Sequence, residues 1–318
     1  MELPTQHIRQ RVLRPLRRGE FISLAIVLAL AVGFGIMVAS GVPLAYDYEL
    51  FLAATQGDYT GYFYMPWALP VFTVFDALPF ALSFAVWNVL NLLLLFMAVR
   101  MFGGSVPVVL LSYQSVYCLF YGQVVGVLAA AFALMWWALV ARRYWLAGLA
   151  LAVMCIKPQV GVPFGMALLL LAEMTWFHRF KVALVVLLIA LGSVLLYPNF
   201  LEDVIYTALG TPPNDFGSVS LWRYVGPLAL VLWVPTLFLR LSPGLRLIAV
   251  VATTALSLPY FQQTDLLLLF MLLPVRWPAL SGNVGYLMVF IGWRALPLIV
   301  VAPLAGYGWV LREHFTRR

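Results

Sequence analysis

The chain has 318 residues, of which 64% are hydrophobic and only 10% are charged. A soluble domain carries nearer half apolar and a quarter charged residues, so the composition excludes a water-soluble protein and makes lipid the solvent for much of this chain. The net charge of +7 comes from short basic clusters between apolar runs, and no basic stripe with interleaved aromatic residues is present, which argues against nucleic acid as a partner.

The first elements are a basic tail, an apolar run and an acidic segment. Residues 1–20 hold five arginines and precede an apolar run at 21–40, which is long for a cleaved signal peptide and predicts a first membrane span. Because basic segments stay inside, the tail is predicted to be cytoplasmic. The segment 41–79 is predicted to be the first outer loop, with a short amphipathic helix at the interface over 67–79.

The middle of the chain predicts spans at about 80–99 and at about 105–121, and a further span that returns to the cytoplasmic side at Arg142. Residues 144–178 have basic residues at both flanks and Lys157-Pro158-Gln159 at their centre, which predicts two short or tilted helices that enter the membrane and return. Irregular backbone at membrane depth is tolerated where it is buried or lines a cavity, so this turn is a predicted cavity wall.

The last third of the chain predicts further crossings. One covers about 182–197, the next ends at Arg240, another begins at Arg246, and a short one ends at Arg276. Two more cover about 279–293 and 296–311. The predicted fold is an all-α, polytopic transmembrane helical bundle with roughly twelve crossings, some short or broken. Residues 21–318 form one transmembrane domain behind the tail, and the predicted location is the inner (plasma) membrane. The two cysteines, Cys118 and Cys155, lie in apolar runs and are predicted to be core residues without a disulfide.

Sorting the charges by predicted side leaves three exceptions. All but three of the nineteen Lys and Arg are cytoplasmic; Lys157, Arg223 and Arg294 lie at or near outer ends of spans. A cation placed in the membrane costs on the order of 3 kcal/mol, so something should compensate these three. They either form structural salt bridges or reach lipid headgroups, or they line an outer pocket that binds an anion such as phosphate.

Five short motifs follow one another along the chain. They are Ala45-Tyr46-Asp47-Tyr48-Glu49, Tyr62-Phe63-Tyr64-Met65-Pro66, Tyr121-Gly122-Gln123, Lys157-Pro158-Gln159 and Asp265-Leu266-Leu267-Leu268. This ordered set resembles glycosyltransferase family 87, a branch of the GT-C class of polytopic glycosyltransferases, over nearly the whole chain. The resemblance implies a GT-C-like bundle and an enzyme that takes a sugar, often mannose, from a polyprenyl phosphate on the outer face.

The resemblance also implies a catalytic carboxylate in the first outer loop, which maps to Asp47. A carboxylate there can take the proton of an acceptor hydroxyl, with Glu49 and Asp58 as reserves; the alternative for Asp47 is a helix cap or surface acid. Some members use an outer histidine, whereas all three histidines of this chain are predicted to be cytoplasmic. The implied reaction is a single displacement with inversion; direct attack by a carboxylate would give retention.

The remaining site predictions concern the donor and the sugar. Lys157, Arg223 and Arg294 are predicted to bind the donor phosphate, whose developing charge needs placed cations. The residues predicted to contact the sugar or acceptor are Gln123, Gln159, Tyr64, Gln262, Asp265 and Glu49. Hydrogen bonding between helices is an equal alternative for the glutamines, and an interfacial aromatic belt is an alternative for the tyrosines.

No cofactor or metal is predicted, because no cluster of metal-ligating residues is evident in the sequence. The predicted partners are a polyprenyl-phosphate sugar donor, a lipid or glycan acceptor, and membrane lipids. Two other functions stay open. A lipid or small-molecule transporter or flippase would usually show inverted repeats and charges buried within spans, and a non-catalytic assembly partner would not need the three misplaced cations.

Overall fold

The described part of the chain is mostly helical, as predicted. A computed structural model describes residues 13–62, 64–200, 202, 218–291 and 296–316. Of the structure, 78% is helix, and the described ranges contain no strand beyond a single bridge between Ser218 and Gln262. The all-α class is therefore confirmed for the described residues.

The helices are labelled in chain order. Those of the first half are α1 (Arg18–Ala39), α2 (Tyr46–Thr55), α3 (Leu69–Asp76), α4 (Phe80–Phe102), α5 (Val106–Leu110), α6 (Tyr113–Tyr121), α7 (Val125–Val140), α8 (Tyr144–Met154) and α9 (Pro158–Leu171). Those of the second half are α10 (Trp176–Leu196), α11 (Trp222–Val225), α12 (Trp233–Phe238), α13 (Pro243–Ser257), α14 (Leu267–Phe270), α15 (Arg276–Gly285), α16 (Met288–Ile291), α17 (Leu296–Ile299) and α18 (Val301–Thr316). Three short 3-10 helices cover Pro66–Ala68, Gly226–Leu232 and Gln263–Leu266.

Three of the described helices, α1, α4 and α10, are long and apolar enough to cross a membrane. They coincide with the runs predicted at 21–40, 80–99 and 182–197. Helices α6 and α7 add a fourth candidate if they count as one span, although they meet at an angle of 116°. The figure of roughly twelve crossings remains a prediction, because many of the other apolar helices are shorter than a bilayer requires.

Several predicted spans are interrupted. The run at 105–121 divides into α5 and α6, because the Ser112 hydroxyl accepts a hydrogen bond from the Ser115 amide and starts a new helix. The run that ends at Arg240 is broken at Gly226, whose φ of +56° suits glycine and not a regular helix. By contrast, the predicted pair of short helices around Lys157 is confirmed as α8 and α9.

The predicted outer loop at 41–79 is itself largely helical. It contains α2, a 3-10 turn and α3, and the last of these falls within the predicted amphipathic segment. An aromatic cluster packs this segment on α4: the rings of Phe51 and Phe72 stack with centroids 4.5 Å apart, and Phe72 lies 4.8 Å from Trp87. The segment therefore has a fixed place against the bundle.

Two hydrogen bonds connect the same segment to the last part of α8 and to the turn that follows it. The Met65 amide donates to the Ile156 carbonyl at 2.9 Å, and the Trp67 indole donates to the Ala152 carbonyl at 2.9 Å. These contacts bring the first predicted outer loop beside the turn that carries Lys157. The fold thus places two motifs that are about a hundred residues apart at one location.

Candidate active site

Asp47 lies in the first turn of α2, half-buried. A carboxylate in the first turn of a helix is favoured because unpaired backbone amides point toward it. The residue before the helix is Ala45, which has a left-handed backbone with φ of +71° and whose amide donates to the Phe120 carbonyl at 3.0 Å. The start of α2 is therefore fastened to the end of α6.

The corner between α6 and α7 carries Gln123. It follows Gly122, which ends α6 with φ of +75° and lies so close to Tyr48 that a Cβ there would be 2.6 Å from the tyrosine Cβ. Only glycine combines this backbone with this close approach. The Trp87 indole donates to the Gly122 carbonyl at 2.8 Å, which fixes the corner against α4.

A chain of hydrogen bonds connects Tyr64, Gln123 and Asp47. The Tyr64 hydroxyl donates to the Gln123 Oε1 at 3.2 Å, and the Gln123 Nε2 donates to the Asp47 Oδ2. Burial raises the pKa of Asp47 to about 6, although the charge of Lys157 and the hydrogen bond from Gln123 both act to lower it. The prediction that these three residues belong to one site is consistent with this geometry.

Lys157 occupies the turn between α8 and α9, where it is buried. Its Nζ donates to Asp265 Oδ1 at 2.7 Å and to Gln262 Oε1 at 2.8 Å. The Asp265 Oδ2 accepts from the Gln262 amide at 3.3 Å, so the carboxylate is held on both oxygens. The turn is tight because Gly161 lies against α8, where a Cβ would be 2.3 Å from the Met154 carbonyl oxygen.

These two groups of residues are neighbours. The charge of Lys157 lowers the pKa of Asp47, although the direct ion pair of Lys157 is with Asp265. The Tyr64 hydroxyl is close to both carboxylates, and their charges add to the burial that raises its pKa. The site therefore combines a half-buried carboxylate, a buried cation and several neutral hydrogen-bonding groups.

Sequence reasoning missed Tyr260 and Tyr117. The Tyr260 hydroxyl accepts a hydrogen bond from the Gln262 Nε2, and Tyr117 on α6 lies within electrostatic range of Asp47. The closeness of Tyr260 to Gln262 in the chain was a usable signal. Nothing in the sequence distinguished Tyr117 from the other tyrosines of α6, because its closeness to Asp47 depends on how α6 packs against the start of α2.

The structure does not bring every predicted residue to this site. Gln159 is half-buried in the first turn of α9, and its side chain makes no hydrogen bond within the described ranges. Glu49 is exposed on α2, and Arg223 is exposed on α11 with its guanidinium 5.3 Å from the Tyr224 ring centroid. Arg294 lies outside the described residues. Asp58 is at an exposed turn, where it accepts from the Thr60 amide at 3.0 Å.

The described residues contain no group of three or more His, Cys, Asp or Glu that could hold a metal ion. Cys118 and Cys155 are both free thiols, the first half-buried and the second buried. What the site offers chemically is therefore a carboxylate for proton transfer, an ammonium group for an anion, and amide and hydroxyl groups for a polar substrate.

The apolar helices indicate a membrane protein, and the candidate site within it contains carboxylate and ammonium groups of the kinds that catalysis uses. The sequence model of glycosyltransferase family 87 matches residues 62–275, more than half of the chain, and the chain therefore belongs to that family. It is a membrane glycosyltransferase, which confirms the resemblance found in the sequence. No curated protein and no solved structure matches the chain.

The matched segment includes Tyr64, Gln123, Lys157 and Asp265 and begins after Asp47. Family membership therefore supports the activity in general, while the role of Asp47 depends on its own surroundings in the structure.

Proposed function

We propose that this chain transfers a sugar, mannose or a similar hexose, from a polyprenyl phosphate to an acceptor hydroxyl, with inversion and with Asp47 as the general base. The site would face the extracytoplasmic side of the inner (plasma) membrane, with the N-terminus in the cytoplasm. The substrates would be a polyprenyl-phosphate sugar and a lipid or glycan acceptor.

The observation that carries this proposal is the environment of Asp47. Its carboxylate is half-buried near a buried lysine, and its pKa is raised to about 6. A general base works best when its pKa lies near the operating pH, because it is then deprotonated yet still able to take a proton. The exposed acids Glu49 and Asp58 lack such surroundings, which favours Asp47 over both reserves.

The reaction follows from these groups. The Asp47 carboxylate takes the proton of the acceptor hydroxyl as the hydroxyl oxygen forms a bond to the anomeric carbon. The bond between that carbon and the phosphate oxygen breaks on the opposite face, so the configuration inverts and the polyprenyl phosphate leaves with the electron pair. A cation beside the leaving phosphate stabilises its developing charge.

Of the three cations predicted to bind phosphate, Lys157 has the best support. It lies close enough to Asp47 to affect its pKa, and its two described hydrogen bonds leave one N–H of the ammonium group for a phosphate oxygen. Arg223 is exposed on α11 and contacts none of the other proposed residues within the described ranges. A phosphate role for Arg223 would require it to approach the site when the donor binds.

The test is transfer of radiolabelled mannose from polyprenyl-phosphate mannose, catalysed by the purified protein in liposomes with a membrane lipid extract as the source of acceptor. We expect wild type to produce a labelled product and Asp47→Asn to lower the rate by about 100-fold or more, since general-base catalysis contributes about 10²–10⁴-fold. The unfolding temperature should change little, because asparagine is isosteric with aspartate.

Asp76→Asn is the matched control, since Asp76 is an exposed acid at the end of α3 and its removal should leave the rate unchanged. Glu49→Gln tests the reserve base on the same helix as Asp47. Wild-type rates in a stably folded Asp47→Asn variant would contradict the assignment of the base. If no polyprenyl-phosphate hexose supports transfer while the protein moves such lipids between leaflets, the flippase alternative would replace the proposal.

A further inference from the structure

We propose that Gln123 is a positioning residue whose amide holds one carboxylate oxygen of Asp47 and leaves the other directed to the acceptor hydroxyl. This inference rests on the proposed function, because it takes Asp47 as the base. It replaces the earlier interpretation of Gln123 as a ligand of the sugar.

Both ends of the Gln123 amide are occupied by protein groups. The Nε2 donates to Asp47 Oδ2, and the Oε1 accepts from the Tyr64 hydroxyl at 3.2 Å. A carboxylate accepts only and a tyrosine hydroxyl can donate, so these partners determine which way the amide points. The side chain is only 3% exposed, so protein atoms enclose it on most sides.

Asp47 Oδ1 has no such partner. The hydrogen bond from Gln123 is the one that the Asp47 side chain makes within the described part of the chain, and it involves Oδ2. The carboxylate is therefore held at one oxygen and available at the other. This is the arrangement that a base requires, because the acceptor proton needs a free lone pair at a fixed position.

The backbone around Gln123 is fixed independently of its side chain. The Gln123 amide donates to the Cys118 carbonyl at 3.0 Å, and the preceding Gly122 carbonyl accepts from the Trp87 indole at 2.8 Å. The Ala45 amide donates to Phe120 at 3.0 Å, so the start of α2 is fastened to the same corner. The backbone segments that carry Asp47 and Gln123 are thus joined by hydrogen bonds that do not involve either side chain.

Losing this contact has a measurable consequence. A hydrogen bond to a carboxylate favours its charged form, and here the bond from Gln123 lowers a pKa that burial has raised. Without the bond, the pKa of Asp47 should rise. A base acts when deprotonated, so the transfer rate climbs as the pH rises through the pKa, and in Gln123→Met that climb should move to higher pH.

The primary measurement is an infrared titration of the Asp47 carboxyl group in protein reconstituted in nanodiscs, with Asp47→Asn identifying the band. We expect a midpoint near 6 in wild type and a midpoint higher by about one pH unit in Gln123→Met. Tyr64→Phe should give a smaller rise, because it leaves the bond to Asp47 in place. Gln56→Met is the control, since Gln56 is an exposed glutamine at the end of α2 and should leave the midpoint unchanged.

Transfer kinetics supply a second readout. A positioning role predicts that kcat falls in Gln123→Met while KM stays within about twofold, since no substrate contact is lost. An unchanged midpoint together with a raised KM would overturn the inference and make Gln123 a substrate ligand. If Gln123→Met fails to fold, Tyr64→Phe provides the test instead. An unchanged midpoint in folded Tyr64→Phe protein would also count against the inference.

The titration does not depend on turnover. A shifted midpoint in protein that transfers no sugar would support the placing of Asp47 by Gln123 and count against the proposed function. Sugar transfer by the wild-type protein together with an unshifted midpoint in Gln123→Met would support the proposed function and count against the placing of Asp47 by Gln123.

Discussion

At the scale of single residues, Lys157 and Asp265 form an ion pair across 108 positions of the chain, and their side chains are 1% and 0% exposed. Two charges so far from water are stable only in each other's presence, because each compensates the desolvation of the other. Gln262 completes the arrangement through its contacts with both.

The pair should therefore respond very differently to single and double substitution. Lys157→Ala leaves the Asp265 carboxylate buried and unpaired, and the expected loss is about 3–5 kcal/mol of stability. In the double variant Lys157→Met/Asp265→Leu no charge remains, so most of that loss should be recovered. Thermal unfolding in detergent of both variants beside wild type measures the difference; a double variant as unstable as the single one would contradict this account.

The same double variant separates packing from phosphate binding. If Lys157 contacts the donor, a stable Lys157→Met/Asp265→Leu protein should still bind polyprenyl phosphate at least tenfold more weakly than wild type, as loss of a charge-assisted hydrogen bond of about 1.5–3 kcal/mol implies. Wild-type affinity in that protein would leave the lysine with a structural role alone.

The sequence predicted Lys157, Gln262 and Asp265 as site residues but did not predict that they contact one another. Charge sorting predicted that Lys157 lies at an outer end of a span, but it did not predict which acid compensates its charge. The choice depends on the tight turn at Gly161 and on the short helices around Asp265, which hydropathy does not describe. The outward position predicted for Arg223 gave no indication of how exposed its guanidinium is.

At the scale of elements, the crossing of α4 and α7 depends on a glycine. A Cβ on Gly126 would lie 2.0 Å from the Asn91 carbonyl oxygen, so the two helices meet backbone to backbone. Gly126 is three residues from Gln123, and this contact therefore also supports the corner that holds Asp47.

Gly126→Ala should force α7 away from α4. Overpacking of this kind costs about 1–3 kcal/mol, and because the backbone cannot yield easily we expect a value toward the upper end. Gly192→Ala in α10 is the matched control: a Cβ there meets no atom within 4 Å, and the helical preference of alanine should leave the protein as stable or slightly more so. Chemical or thermal unfolding of the two variants measures the contrast, and equal stabilities would show that the crossing tolerates a methyl group.

The sequence predicted one break between helices and missed two others, for a physical reason. Lys157-Pro158 combined a helix-breaking residue with basic flanks on both sides, and the structure has α8 and α9 at that place. The break at Ser112 carries only the weak signal of a serine in an apolar run, since serine also occurs within membrane helices where they pack together. The 116° bend at Gly122 depends on packing against Tyr48, which is distant in the chain.

At the scale of the whole molecule, the proposed sidedness places α2 and α3 outside and the C-terminal end of α18 inside. Asp58 and Thr316 are exposed residues at these two ends and provide positions for labels. Both native cysteines are at least half-buried, so they should contribute little background.

Asp58→Cys in right-side-out vesicles should react with a membrane-impermeant maleimide, whereas Thr316→Cys should react only after the vesicles are permeabilised. Labelling measured by a mass shift on a gel tests this. Reaction of both cysteines in sealed vesicles, or the reverse pattern, would contradict the proposed orientation and place Asp47 on the other face.

The membrane environment followed from composition, and the all-α class followed from the length of the apolar runs. The number of crossings did not follow. Hydropathy detects apolar runs but not what covers them, and α13 shows the difference: every residue from Leu247 to Ser257 is buried within the protein. Such a helix belongs to the core of the bundle, as its apolar sequence alone could not reveal.

The hydrogen bonds from Met65 and Trp67 join the outer segment to the Lys157 turn and to the last part of α8. The same outer segment is attached to the corner between α6 and α7 through Ala45 and Asp47. Separating any one of these parts from the others would break hydrogen bonds. If Asp47 and Lys157 act as proposed, we therefore expect the distance between the base and the phosphate-binding cation to be the same in the free protein and in the donor complex.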